Sequence, residues 1–77
     1  MAHENKVLRS IETPDGGRCV DLFRRPDGSH GYQAYRRDSE TGTGWFPIGP
    51  YDALTFETEA QALADARARI AWLEDLI

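Results

Sequence analysis

The chain holds a single cysteine, a single methionine and two histidines in 77 residues. Cys19 alone closes no internal disulfide, and a secreted domain of this length normally relies on several, so a reducing compartment is expected. Zinc requires about four ligands at characteristic spacings, which one cysteine and the distant His3 and His30 do not supply. No run approaches the roughly 18 apolar residues of a membrane span, and the start, Met-Ala-His-Glu-Asn-Lys, lacks the apolar stretch of a signal peptide. The expectation is a cytoplasmic location with no metal, no cofactor and no membrane partner.

Catalysis is equally short of parts. A nucleophile needs a base beside it, usually histidine. In the hairpin expected below, Cys19 and His30 stand at opposite ends, roughly 20 Å apart at about 3.3 Å per residue. Asp38/Glu40 falls in a loop and Glu74/Asp75 on a solvent-facing helix end, where carboxylates are ordinarily solvated rather than acting as acid and base. Thr41-Gly42-Thr43-Gly44 lacks the Gly-Lys-Ser/Thr ending of a phosphate loop. Asp15-Gly16-Gly17 and Asp27-Gly28 lack the alternating carboxylates of a calcium loop and read as turns. No catalytic residue is assigned, and the chain is expected not to be an enzyme.

What is present describes one small domain, 1–77. Of the 40% apolar residues, nine are Ala, which leaves twelve Val, Ile and Leu and eight aromatics for a thin core. A chain of this size buries only about 60 to 65% of its unfolded surface, so it folds with modest stability or gains more by self-association. The net charge of −4 is unevenly placed: the chain through Glu40 is neutral, and the acidic surplus lies from Thr41 onward. That balance lowers nonspecific affinity for polyanions.

Residues 1–5 are polar and aperiodic and read as a loose tail, followed by a sheet over 6–56. Val7, Arg9 and Ile11 are placed on one side of a first strand, ended by Pro14-Asp15-Gly16-Gly17. Arg18 to Arg25 alternates Val20 and Leu22 against Cys19, Asp21 and Phe23, the period of a half-buried strand. Asp27-Gly28 predicts a two-residue hairpin turn, with Phe23 opposite Tyr32, Leu22 opposite Gln33, and Val20 opposite Tyr35. Residues 39–44 read as a loop, Trp45 to Ile48 as a proline-limited edge strand, and Gly49 to Asp52 as a turn. Leu54 to Phe56 reads as a short extended piece.

The helix is expected over 58–75. Thr58-Glu59-Ala60-Gln61 fits a capping box, and the following Ala, Leu, Arg and Glu run contains no Gly or Pro. Leu63, Ala66, Ile70, Leu73 and Ile77 form one stripe, with Trp72 and Leu76 on its shoulder. The fold class is therefore α+β: a three- or four-stranded antiparallel meander packed against one C-terminal helix.

A helix on one side leaves the other sheet face free, and the apolar arc is wider than one small sheet covers. The leading expectation is a binding or accessory module acting by protein contact, a homodimer included, with Trp72, Leu76 and Trp45 as apolar anchors. Arg24, Arg25, Arg36 and Arg37 form the candidate basic face that orients an acidic partner. The alternative partner is single-stranded nucleic acid, stacked on Phe23, Tyr32, Tyr35 and Trp45 with the arginines on phosphate.

The run Val20-Asp21-Leu22-Phe23-Arg24-Arg25-Pro26-Asp27-Gly28, with Gly31-Tyr32, Tyr35-Arg36-Arg37-Asp38, Gly44-Trp45 and the Ala-rich helix bearing Trp72-Leu73, resembles short bacterial proteins of unknown function built as a sheet followed by one helix. The resemblance implies the fold and carries no activity.

Overall fold

Alternation of Val20 and Leu22 with Cys19, Asp21 and Phe23 gives a strand two unlike faces, and that strand lies at the centre of the sheet. A computed structural model, which describes residues 5–37 and 44–76, contains β1 (Lys6–Glu12), β2 (Arg18–Arg24), β3 (His30–Arg37) and β4 (Trp45–Ile48). They pair antiparallel in the order β1-β2-β3-β4, the meander expected from the turn spacing. A 3-10 turn (Tyr51–Ala53) follows, then the helices α1 (Glu59–Arg69) and α2 (Ala71–Leu76). The tail at 1–4, the Asp38/Glu40 pair and the loop at 39–43 lie outside the described residues.

The hairpin between β2 and β3 differs from the expected one by a single residue. Leu22 pairs with Tyr32, Val20 with Ala34, and Cys19 with Tyr35. The Gly28 N–H donates to the Arg25 carbonyl at 2.9 Å, and the Arg25 N–H donates to the Ser29 carbonyl at 2.8 Å, so residues 26–28 make the loop. The reason is Pro26. Its ring holds φ negative, which suits the first central position of a type I turn. Asp27 keeps negative φ, and Gly28 alone is left-handed at φ +91°. This is a type I turn followed by a glycine bulge, not the two-residue turn that Asp-Gly alone favours.

A one-residue shift exchanges the faces of a strand. Val20, Leu22, Tyr32 and Ala34 therefore share the helix side, and Cys19, Asp21, Phe23, Gln33 and Tyr35 share the other. In β1 a bulge at Leu8 has a similar effect: Arg9 and Ile11 face with Leu22 and Val20, but Val7 crosses to pair with Phe23 on the opposite face.

The helix begins as its sequence dictates. Thr58 Oγ1 accepts the Gln61 N–H at 3.1 Å, while Gln61 Oε1 accepts the N–H of Glu57 at 2.9 Å, one residue before the expected partner. The single helix over 58–75 does not run through: Ile70 leaves helical geometry at φ −111°, ψ 101°, and α2 restarts after it. Neither Gly nor Pro stands there, so packing rather than propensity makes the break. Ala62, Ala66 and Leu73 are the buried helical residues and Ile70 is buried at the break between the helices, with Leu63 only partly covered and Ile77 outside the described residues. They close the core on Ile11, Val20, Leu22, Tyr32 and Ala34. Each fully buried leucine there contributes about 1.5 to 3 kcal/mol.

Candidate binding face of the sheet

The sheet face away from the helices carries rows of polar and aromatic side chains whose positions follow from register. Glu12 of β1 is opposite Cys19 of β2, which is opposite Tyr35 of β3, which is opposite Pro47 of β4. Ser10, Asp21 and Gln33 form the adjacent row, and Trp45 pairs with Arg37. A cavity of about 380 Å³ lies over this surface, lined by Ser10, Glu12, Cys19, Asp21, Tyr35 and Trp45. A second, of about 290 Å³, continues from it over Val7, Phe23 and Pro47, and Asp21 and Tyr35 line both. The open face is thus one trough with Asp21 and Tyr35 at its waist.

Hydrogen bonds fix the floor. The Ser10 hydroxyl donates to Asp21 Oδ1, and the Cys19 thiol donates to the same oxygen at 3.3 Å. Burial pushes the Cys19 thiol above its ordinary pKa, which keeps it a neutral donor rather than a thiolate nucleophile. Burial likewise raises the Tyr35 phenol, with Asp21 adding to the effect. One end is closed by Gln33, whose Oε1 accepts the Asp52 N–H at 2.9 Å while its Nε2 donates to the Gly49 carbonyl at 3.2 Å. That buried amide holds the segment after β4 against the sheet.

The three expected anchors do not meet. Trp45 lines the open trough, but Trp72 is half-buried against the core on the opposite side of the sheet, beside Ala34, Ile48 and Tyr51. Leu76 is 38% exposed near the end of α2. The four arginines also separate. Arg24 and Arg36 fall on the helix side, opposite His30 and Arg18, while Arg37 stacks on Trp45 with its guanidinium carbon 4.7 Å from the ring centre. Arg25 is engaged within the fold: its guanidinium donates to the carbonyls of Asp52 (2.7 Å), Leu54 (3.0 Å) and His30 (3.1 Å). Arg25 also lies over the Phe23 ring, its guanidinium carbon 5.0 Å from the centre, so the arginines of this face cap individual rings rather than form a row, and the carboxylates Asp21 and Glu12 line the trough beside them.

Ser10, Glu12 and Asp21 were not among the expected site residues. Their signal was the Pro26-Asp27-Gly28 turn, because the register it sets is what brings Asp21 and Tyr35 to one face. Cys19 and His30 lie on opposite faces. Among the described residues no group of three His, Cys, Asp or Glu is placed to hold a metal ion, and no helix is long and apolar enough to cross a membrane. Comparison with protein families, curated proteins and solved structures gives no match to this chain.

Proposed function

We propose that the chain is a small non-enzymatic binding or accessory module, working in the cytoplasm by protein contact, with the open sheet face as its contact surface. The observation that carries this reading is the trough: two confluent cavities with aromatic and carboxylate walls on the one broad face that the chain's own helices leave uncovered. Ligand sites are concave surfaces with a few convergent polar groups, and this face has that form. Trp45 is retained as an anchor of the surface. Trp72 is reassigned to the chain's own core, so the contact moves from the helix shoulder to the sheet. The nucleic-acid alternative loses ground, because Asp21 and Glu12 put negative charge on this face where phosphates would pass.

A photo-reactive amino acid placed at Tyr35, and separately at the exposed Arg67 of α1, tests the proposal in the source cells. Protein adducts at position 35 and not at 67 are expected, and an adduct of twice the chain mass identifies a second copy as that partner. Adducts only to nucleic acid, equal yields at both positions, or none would overturn it.

A further inference from the structure

The charges in the lining of the larger cavity are all of one sign. Asp21 is half-buried at the junction of the two cavities, and its side-chain partners are a hydroxyl and a thiol, both neutral. Among the described residues the one ion pair is Arg69 with Asp65, on α1, so Asp21 has no countercharge. A carboxylate withdrawn from water without a cation is costly, and the two donors offset that cost only in part. Glu12 lines the same cavity from β1, so two carboxylates converge with no cationic side chain in the lining. The remaining walls are Tyr35 and Trp45, whose ring faces attract cations through their quadrupoles. Arg37 covers one face of the Trp45 ring and does not line the cavity, so only the rest of this indole is open to a cation from outside.

The geometry points to an arginine or lysine side chain of a protein partner as the occupant of this cavity, its cationic head between Asp21 and Glu12 and its stem along Tyr35 and Trp45. The inference rests on the proposed contact role of the open face and names the chemistry that face selects. At about 380 Å³ the space is within the range of roughly 300 to 1,000 Å³ typical of ligand pockets. An anionic group would add a third negative charge where no lysine or arginine lines the wall. A purely apolar group would leave the half-buried Asp21 uncompensated.

The test is an amide-resolved NMR titration of the full chain with three blocked tripeptides, acetyl-Gly-X-Gly-amide with X as Arg, Ala or Glu. The Arg peptide is expected to shift the amides of Ser10, Glu12, Cys19, Asp21 and Tyr35 and the Trp45 indole, while the Ala and Glu peptides leave them in place. Glu12→Gln and Asp21→Asn are each expected to weaken the Arg peptide about fivefold to tenfold, as loss of a charge-assisted contact does. Glu12 is exposed, so its variant reports on binding even if Asp21→Asn disturbs folding. Equal shifts with Arg and Ala peptides would overturn the cation inference. Cross-linking at position 35 together with that result would leave the contact reading standing, whereas failure of both would remove the face itself. Shifts confined to other residues, or strongest with the Glu peptide, would also overturn the inference.

Discussion

Tyr32 is fully buried yet carries a hydroxyl, and its place in the core depends on where that hydroxyl goes. It donates to Asp65 Oδ2 at 2.7 Å, and the same oxygen accepts from Arg69 Nε at 2.8 Å, so the sheet is tied to α1 through one carboxylate. Tyr51 and Phe56 stack on the ring, with centroids 5.4 and 6.0 Å away. Burial, and then the neighbouring carboxylate, push the Tyr32 phenol well above its ordinary value. Tyr32→Phe keeps the stacking and loses the bond, an expected cost of about 1 kcal/mol in urea unfolding at neutral pH. The pH dependence has a definite sign. A folded pKa raised above the unfolded value of about 10 means that the neutral phenol's contribution is complete below pH ~10 and declines as pH rises further. The alkaline loss of stability is therefore expected to be shallower in Tyr32→Phe than in the parent. Tyr35, also raised by burial, leaves some slope in the variant. Parallel alkaline curves for the two proteins would contradict the assignment.

At the scale of elements, existence was easier to read than register. The alternation in β2, the cap at Thr58 and the proline-limited β4 each depend on residues a few positions apart, and all were legible. The face assignment depended on one residue, Pro26, which selects a three-residue loop over the two-residue loop that Asp27-Gly28 alone favours. With the shorter loop, Tyr35 joins Val20 and the trough does not assemble. With the longer one it joins Cys19, and of the three expected protein-contact anchors Trp45 is the one that lines the trough. The bulge at Leu8 and the break at Ile70 left no local mark, since neither contains Gly or Pro; the break goes with the burial of Ile70 in the core.

Two glycines in the same hairpin separate conformational from steric cost. Gly28 stands at φ +91° with nothing within 4 Å of where an alanine methyl would lie, so Gly28→Ala meets only backbone strain, about 1 to 2 kcal/mol. A methyl at Gly31 would lie 2.9 Å from the Phe23 ring and 2.8 Å from the Arg25 guanidinium. Gly31→Ala must therefore displace Phe23 into the smaller cavity or loosen Arg25 from its carbonyls. The expected signature is that both variants lower the thermal midpoint, but only Gly31→Ala perturbs the NMR shifts of Val7, Phe23 and Asp52.

The whole molecule measures 37 × 33 × 19 Å, and its short axis has room for little beyond one sheet and one layer of helix, packed about 10 Å apart. So thin a slab has one inner surface, and each large apolar side chain either helps to fill it or faces out. Trp72 bears directly on that division. A broad apolar arc on an uninterrupted helix presents its indole to a second molecule; with the break after Arg69, the indole packs instead on the core of its own chain. These two roles have different concentration dependence. An intrachain indole contributes the same stability at every dilution, whereas one buried between copies contributes only where copies associate. Trp72→Ala is accordingly expected to cost about 2 kcal/mol, less than a fully buried Trp. In a domain of this size that lowers the thermal midpoint by roughly 8 to 16 °C. The decrement should be equal at low and high micromolar concentration, with the light-scattering mass of parent and variant the same. A decrement that vanishes on dilution, together with a parent mass falling from two chains to one, would return Trp72 to an interface and the helix shoulder to the contact surface.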